Sequence, residues 1–332
     1  MIDFKLFFFL VLINIFFFYK NDLISEYLGI YDYPDFKRKI HHKKIACIGG
    51  FYLVSNLVFI ASYNFFISND LFPQDYFQKE KINFLFFLIT FFVIFFIGIF
   101  DDKYGISANT KLSLFLFIFI FLIMADRDIA IKDLRFSFTD SIYDIEDYSQ
   151  FFTIFCIIVF MNAFNMYDGS NLQVSLISIV IMLYLFLSIN TFDYMSFAIL
   201  IFLIFFSILN YKNKLFLGDN GSLTLSFLIS YLLIKFYNAN SFIYADEICL
   251  LLLMPVLDLT RLFVLRTMNG KSPLKSDKNH IHHLLLKKFS YKYTIIILFL
   301  IYFLPIIFSF IFEKYFLFIL IQIFLYLSLL VL

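Results

Sequence analysis

The chain has 332 residues, of which 62% are hydrophobic and 15% are charged. A soluble domain usually carries about 25% charged residues, so this composition excludes an ordinary soluble globular protein. The 26 basic and 25 acidic residues nearly cancel, and without a basic excess we expect no nucleic-acid partner.

Apolar runs long enough to cross a bilayer recur along the whole chain. A helix needs about 20 apolar residues to cross the hydrocarbon core, and roughly eleven runs approach that length. The predicted spans are residues 4–19, 45–67, 82–100, 112–125, 151–166, 171–189, 194–210, 221–237, 248–268, 293–312 and 315–332. We therefore predict an all-α polytopic integral membrane protein with about 11 transmembrane helices and a single membrane-embedded domain over residues 1–332. Because no small-residue cleavage site follows Tyr19, the first run is interpreted as a retained anchor.

The distribution of charge between the loops predicts the orientation. An odd number of spans puts the termini on opposite sides, and the positive-inside rule then favours an N-terminus outside and a C-terminus in the cytoplasm. In that arrangement the inner loops hold roughly 18 of the 26 basic residues but about 10 of the 25 acids. The expected location is the inner (cytoplasmic) membrane. The long outer loop, residues 126–150, is expected to be a solvated surface without a motif.

Polar and ionisable residues gather at the predicted cytoplasmic face, where they avoid the cost of lying inside the bilayer. Arg38 and His41 come first along the chain. The pair Asp101-Asp102 follows, about two and a half helical turns before Lys111. Adjacent carboxylates can hold Mg²⁺ or supply a general base, and a lysine on the next helix can meet a phosphate. A solvated helix cap is the plainer interpretation of a lone Asp-Asp pair.

An amide-rich segment interrupts the apolar pattern near the middle of the chain. Asn162, Asn165 and Asp168 recur at every third position, roughly on one face of a helix end that points into the inner aqueous layer. A tight turn with Asn and Asp caps would explain part of this pattern. A simple turn does not require two further Asn residues inside the membrane-embedded end. We therefore predict a substrate-facing surface here.

Asp219 lies between two glycines at the predicted start of a helix. Backbone N–H groups at that position could face a phosphate while the carboxylate reaches a cation. Four residues of the form Gly-Asp-x-Gly are also compatible with a plain turn.

Three histidines, His280, His282 and His283, occur within four residues. Arg261 and several lysines make their surroundings cationic, which disfavours a zinc site and suits phosphate or pyrophosphate binding. A solvated basic loop would account for the lysines but not for the histidine spacing.

These segments form one ordered series between residues 30 and 285. The series is Asp32-x-Pro34 with Arg38 to His41, Asp101-Asp102, Asn165-x-x-Asp168-Gly169, Asn210, Phe216-Leu217-Gly218-Asp219-x-Gly221-Ser222, Asp258-x-x-Arg261, Gly270-Lys271-Ser272-Pro273, Asp277 and His280-Ile281-His282-His283. It resembles the signature of the polyprenyl-phosphate N-acetylhexosamine-1-phosphate transferases. Asn171 stands where that family commonly has a second Asp.

The resemblance implies a Mg²⁺-dependent enzyme, with Mn²⁺ as an alternative metal. It would move an N-acetylhexosamine 1-phosphate from a UDP-sugar (a UDP-N-acetylhexosamine) to undecaprenyl phosphate and release UMP, the initiating step of a cell-surface glycan. The His-x-His-His form is similar to the branch that primes O-antigen or teichoic-acid synthesis. Phospho-N-acetylmuramoyl-pentapeptide transferase ranks second. A membrane transporter and a zinc metallohydrolase are the alternatives from other classes.

The resemblance also implies roles for particular residues. The catalytic group is Asp101, Asp102 and Asp219. Asp219 and Asp168 are the expected metal ligands. The expected substrate-binding residues are Arg38, His41, Lys111, Asn162, Asn165, Asp168, Asn171, Asn210, Arg261, His280, His282 and His283. The sequence leaves open which of Asp101 and Asp102 is the base, whether a covalent intermediate forms, which sugar is used and whether the enzyme is a homodimer.

Overall fold

The computed structural model describes residues 4–34, 43–67, 81–188, 194–273 and 279–331. These ranges are dominated by long helices that follow one another through short connections. In chain order the helices are α1 (Phe4–Leu28), α2 (Gly49–Ile67), α3 (Lys81–Tyr104), α4 (Ala108–Ala125), α5 (Ser149–Tyr167), α6 (Gln173–Ser188), α7 (Tyr194–Tyr211), α8 (Gly218–Ala239), α9 (Ala245–Met268), the short α10 (Ile281–Leu286), α11 (Tyr291–Phe312) and α12 (Tyr315–Val331).

Each predicted span coincides with one of these long helices. Seven helices in the described ranges are long and apolar enough to cross a membrane, namely Phe4–Leu28, Ile82–Tyr104, Ala108–Ala125, Glu146–Tyr167, Gly218–Ala239, Ala245–Met268 and Tyr291–Phe312. The remaining apolar helices are shorter, namely Gly49–Tyr63, Gln173–Ser188, Met195–Tyr211 and Tyr315–Val331. The prediction of a helical, multi-pass membrane protein is thereby confirmed. The count of eleven crossings and the orientation stay predictions.

Two small sheets depart from the all-α prediction. Strand β1 (Tyr31–Asp32) pairs antiparallel with β2 (Ile45–Ala46). Strand β3 (Asp133–Arg135) pairs antiparallel with β4 (Ile142–Asp144). Both are local pairings between connecting segments, so they leave the helical architecture unchanged.

The segment between α4 and α5 is more structured than the sequence indicated. Arg135 lies over the ring of Tyr237 and donates to the carbonyl oxygens of Tyr237 at 2.7 Å and Asn240 at 2.8 Å. Ser137 donates through its backbone N–H to Asp246 at 3.0 Å. Strand β4 of this loop is exposed, as expected, but the hairpin is also fastened to the ends of α8 and α9, which the expectation of a surface without a motif did not include.

Helix α8 lies at the centre of the molecule. Every residue from Asn220 to Tyr237 is buried, and the helix packs against α2, α3, α5 and α6. A helix that is buried all round is surrounded by protein rather than by lipid. Three of its hydroxyl side chains bond within the helix: Thr224 donates to the carbonyl oxygen of Asn220, Ser226 to that of Leu223 and Ser230 to that of Ser226. The start of α8, which carries Asp219, is thus held by several helices at once.

Gly98 allows α3 to touch the backbone of α8. A Cβ atom at Gly98 would lie 2.4 Å from the Cα atom of Asn220. Such an approach is open only to a residue without a side chain, as in other close helix crossings within membranes. The contact sets the C-terminal turn of α3, with Asp101 and Asp102, beside the first turn of α8.

A buried ion pair lies at the opposite end of the same helices. Lys235 of α8 pairs with Asp126, which follows α4, at 2.7 Å. Asp126 also accepts from Tyr231 at 3.2 Å and from Asn83 of α3 at 3.1 Å. A buried charge requires such partners, so this cluster ties α3, α4 and α8 together at the predicted outer end.

Candidate active site

Asp102 caps the N-terminus of α8. Its Oδ1 accepts the backbone N–H of Asp219 at 2.9 Å, and its Oδ2 accepts the backbone N–H of Asn220 at 2.9 Å. The Asn220 side chain donates to the same Oδ2 and to the carbonyl oxygen of Cys47. A carboxylate suits this position because the first N–H groups of a helix lack partners within it. The expectation that these N–H groups face a phosphate is therefore wrong, since Asp102 already occupies them.

Lys111, in the first turns of α4, joins the two remaining carboxylates of the cluster. Its Nζ pairs with Asp101 and lies 3.4 Å from Oδ2 of Asp219. Asp101 also accepts the backbone N–H of Ile106 at 2.7 Å. The Asp219 side chain is 32% exposed and that of Asp101 only 6%. Asp219 is thus the carboxylate of this group that an incoming ligand can reach.

Asn165 faces the cluster, whereas Asn162 does not contribute a free amide. Asn165 accepts the hydroxyl of Ser222 on α8 at 2.9 Å. The Asn162 side chain donates to the carbonyl oxygen of Ile158 in its own helix at 2.7 Å. Of the two asparagines that the periodicity singled out, Asn165 contacts α8, whereas Asn162 lies about one helical turn earlier and bonds within its own helix.

Asp168 lies just past the end of α5 and is half-buried. Burial and the nearby Asp102 carboxylate raise the pKa of Asp168 to about 7. In the part of the chain that the structure describes, no Lys or Arg forms an ion pair with Asp168. A carboxylate in this setting gains most from a bound cation, because the cation would stabilise the ionised form.

Asn171 and Asn210 fasten two loops to each other. Asn171 donates to the side chain of Asn213 at 2.7 Å. Asn210 accepts the backbone N–H of Leu172 at 2.7 Å and donates to the carbonyl oxygen of Leu215 at 2.9 Å. The amide of Asn210 is therefore used by the backbone. These contacts support a structural role for the two residues, which sequence reasoning had placed on the substrate.

The histidine loop, residues 279–283, folds back along α9. Nδ1 of His280 is 2.8 Å from Oδ2 of Asp258, and the backbone N–H of Ile281 donates to Oδ1 at 3.1 Å. Asp258 stands ten residues before the end of α9, about 15 Å along the axis. The chain after α9 must therefore return by that distance to reach it.

Arg261 belongs to the same arrangement. Its Nη2 donates to Asp258 at 2.8 Å, and its Nε donates to the hydroxyl of Tyr326 at 2.8 Å. Nη2 also donates to the carbonyl oxygen of Asn279. Arg261, which we predicted to bind phosphate, thus donates its hydrogen bonds to groups of the protein. One of these bonds holds the start of the histidine loop.

His282 is the buried member of the histidine group. Its ring lies 4.2 Å from the ring of His283 and packs on Gly169, where a Cβ atom would come within 2.2 Å of Cε1. Neither ring nitrogen has a hydrogen-bond partner among the described residues. Burial, followed by His283 and His280, lowers the pKa of His282 to about 3. The imidazole is therefore neutral at pH 7 and offers two unsatisfied nitrogens beside Asp168.

Comparison with known proteins shows which family the middle of the chain resembles. Residues 84–237 match the model of Glycosyl transferase family 4. The matched stretch contains Asp101, Asp102, Lys111, Asp168 and Asp219, the residues whose geometry is described above.

Curated relatives extend the similarity beyond residues 84–237. An undecaprenyl-phosphate alpha-N-acetylglucosaminyl 1-phosphate transferase of Yersinia pestis is 25% identical over 271 residues, which cover 78% of this chain and 70% of that protein. The protein of the same name from Escherichia coli (strain K12) is 24% identical over 275 residues, which cover 80% of this chain and 71% of its own.

The residues of the site include carboxylates of the kind that Mg²⁺ accepts as ligands. In the described ranges no group of three or more His, Cys, Asp or Glu side chains is arranged to hold a metal. Zinc sites usually require three or four protein ligands, and His280 is already paired with Asp258. Mg²⁺ is commonly held by one or two carboxylates together with substrate phosphates. Asp219 and Asp168 can supply those carboxylates.

Two residues of the site, Asp258 and Tyr326, were not assigned a role from the sequence. Asp258 was visible only as part of the Asp258-x-x-Arg261 motif and had no assigned role. Tyr326 lies in a featureless apolar run, so no pattern could single it out. Arg38, His41 and Asp277 lie outside the described residues.

Proposed function

We propose that this protein transfers an N-acetylhexosamine 1-phosphate from a UDP-sugar to undecaprenyl phosphate. The products are UMP and a lipid-linked sugar pyrophosphate, which initiates a cell-surface glycan. The observation that carries the proposal is the carboxylate cluster of Asp101, Asp102 and Asp219 around Lys111 at one end of the helices. The names of the curated relatives support the choice of acceptor.

The reaction requires two phosphate groups to meet. An oxygen of the lipid phosphate attacks the phosphorus that bears the sugar, the bond from that phosphorus to the oxygen of UMP breaks, and UMP leaves with the electron pair. Both reactants are anions, so catalysis consists mainly of positioning and of offsetting their repulsion. Asp219 and Asp168 would hold Mg²⁺, or Mn²⁺, which supplies positive charge to the pyrophosphate when bound. The chain's own Lys111 lies between Asp101 and Asp219.

The two adjacent aspartates take different parts in this proposal. Both carboxylate oxygens of Asp102 accept N–H groups of α8, so Asp102 positions the first turn of that helix. Asp101 is bound by the Lys111 ammonium and by the backbone N–H of Ile106, and its carboxylate does not cap α8. Asp101 is therefore our candidate for the group that handles the acceptor phosphate or its proton.

His282 has a proposed role that suits its neutral ring. His282 would donate one hydrogen bond from a neutral ring to a phosphate or sugar oxygen, because its pKa lies far below 7. Such a donor orients an anion without adding a full charge.

The proposed topology follows from the shared location of these groups. They lie at the C-terminal ends of α3 and α5 and at the N-terminal ends of α4 and α8, so one face carries the site. With eleven crossings and the N-terminus outside, that face is cytoplasmic and the protein resides in the inner membrane. The apolar tail of the acceptor would enter sideways between helices while its phosphate reaches the face.

The test is direct reconstitution. Purified protein would be incubated with undecaprenyl phosphate, Mg²⁺ and a panel of UDP-sugars that includes UDP-N-acetylmuramoyl-pentapeptide, and UMP release would be measured. We expect release with a UDP-N-acetylhexosamine that depends on both the lipid and the metal. Release with the pentapeptide donor alone would assign the protein to peptidoglycan synthesis. No release with any donor would contradict the proposal.

A further inference from the structure

We infer that Tyr326 of the last helix is a positioning residue that holds the histidine loop in its working conformation through Asp258. Tyr326 is 1% exposed. Its hydroxyl donates to Oδ1 of Asp258 at 2.8 Å and accepts from Nε of Arg261 at 2.8 Å. The last helix thus contributes a polar group to a cluster built otherwise from α9 and the histidine loop.

Asp258 is the centre of this cluster. Its Oδ1 accepts from Tyr326, from Arg261 and from the backbone N–H of Ile281, while its Oδ2 faces His280. The side chain of Asp258 is only 2% exposed. A carboxylate buried to this extent is stable only when several donors surround it. Each donor therefore helps to hold the Asp258 carboxylate in the position that the other donors require.

The cluster reaches the proposed substrate site through adjacent histidines. His280 binds Asp258, and His282, two residues later, packs on Gly169 beside Asp168. The rings of His280 and His282 are stacked at 5.6 Å. Loss of the Tyr326 hydroxyl would leave Asp258 with its other donors, so the loop should loosen while the protein stays folded. Tyr326 would act on the site only through Asp258 and Arg261.

The first experiment measures loop order without reference to catalysis. Full-length protein in lipid nanodiscs would be treated with diethyl pyrocarbonate, and carbethoxylation of His282 would be followed by peptide mass spectrometry. In wild type the reaction should be slow because the ring is 1% exposed. In Tyr326→Phe we expect it to be about tenfold faster, a change typical for the loss of one hydrogen bond to a charged group.

The matched control is Tyr302→Phe. Tyr302 is also 1% exposed, and its hydroxyl donates to the carbonyl oxygen of Leu251 on α9 at 3.1 Å, away from the histidine loop. We expect no change in His282 reactivity for this variant. Equal reactivity in wild type and Tyr326→Phe, or an equal increase in both variants, would overturn the inference.

A double variant tests whether Tyr326 acts through Asp258. Asp258→Asn should loosen the loop by itself, and adding Tyr326→Phe should then increase His282 reactivity no further, because the two substitutions break one cluster. If the double variant increases the rate of His282 carbethoxylation by the product of the two single increases, Tyr326 acts by a route other than Asp258, and the inference is contradicted.

Kinetics provide a readout that rests on the proposed function. The KM for the UDP-sugar should rise about tenfold in Tyr326→Phe while the KM for undecaprenyl phosphate stays unchanged, because the sugar and the pyrophosphate that His282 would contact belong to the UDP-sugar. A merely structural defect would alter both. If wild type is inactive with every UDP-sugar, the proposed function fails, and His282 reactivity still decides the role of Tyr326.

Discussion

Asp102 and Asp219 are joined across two helices, because the carboxylate of Asp102 in α3 accepts the backbone N–H of Asp219 at the start of α8. The same carboxylate accepts the next N–H, that of Asn220. One acid therefore fixes the backbone that carries another, and the two acids of the catalytic group have different tasks.

Asp102→Asn should abolish most turnover and also weaken folding. The introduced amide would point a donor at N–H groups that need an acceptor, and loss of a helix cap costs about 1–2 kcal/mol. Turnover and thermal unfolding would be measured together. The control is Ser107→Ala, which removes the side-chain cap of α4 and should lower stability with little effect on turnover. Full activity in Asp102→Asn would refute the positioning role.

Asp219→Asn should lower kcat at least a hundredfold while leaving the melting temperature nearly unchanged. The Asp219 side chain is 32% exposed, so its charge contributes little to folding, whereas removal of a metal-bound carboxylate costs several kcal/mol of transition-state stabilisation. Turnover would be recorded against Mg²⁺ concentration. Asp140→Asn, in the exposed part of the outer loop, serves as the charge-matched control. Near-normal turnover with unchanged Mg²⁺ dependence would exclude Asp219 as a ligand.

The sequence predicted the helices well because the membrane imposes a length and an apolar composition on each of them. It also placed Asp101, Lys111 and Asp219 on one face, and the structure brings these three side chains together. The order of the helices places all three at the same end of α3, α4 and α8.

The partners of each polar group could not be read from the chain. Asp102 and Asp219 are 117 positions apart, and their hydrogen bond depends on the close crossing that Gly98 permits between α3 and α8. The role of Tyr326 could not be predicted, because a tyrosine in an apolar run does not indicate which polar group its hydroxyl contacts. The resemblance assigned Asn210 to the substrate, and the sequence could not show that backbone groups of Leu172 and Leu215 already bond to its amide.

His282 should make the protein sensitive to mild acid. Its folded pKa is about 3, whereas an unfolded histidine titrates near 6.5. Between these values the unfolded state binds more protons, so stability falls as the pH is lowered below about 6.5. From pH 6.5 to 5 the loss should approach about 2 kcal/mol at this one site.

Thermal unfolding across that pH range would test the His282 prediction. The variant His282→Gln cannot be protonated there, so its melting temperature should change less with pH than that of wild type. Parallel pH profiles for the two proteins would contradict the prediction. They would mean that His282 binds a proton as readily in the folded protein as in the unfolded chain.

The ion pair of Lys235 and Asp126, at the predicted outer end, should matter for stability and not for catalysis. Lys235→Met leaves Asp126 buried without its ammonium partner, which typically costs about 3–5 kcal/mol, while Asp126 would keep its neutral donors Tyr231, Asn83 and the backbone N–H of Asp128. The double variant Lys235→Met with Asp126→Asn removes the unpaired charge and should recover much of the lost melting temperature. Turnover per folded molecule should stay close to wild type in both, because this pair and the carboxylate cluster lie at opposite ends of α8. A large loss of turnover in the stable double variant would instead indicate that charge at the outer end takes part in the activity, as a transport protein would require.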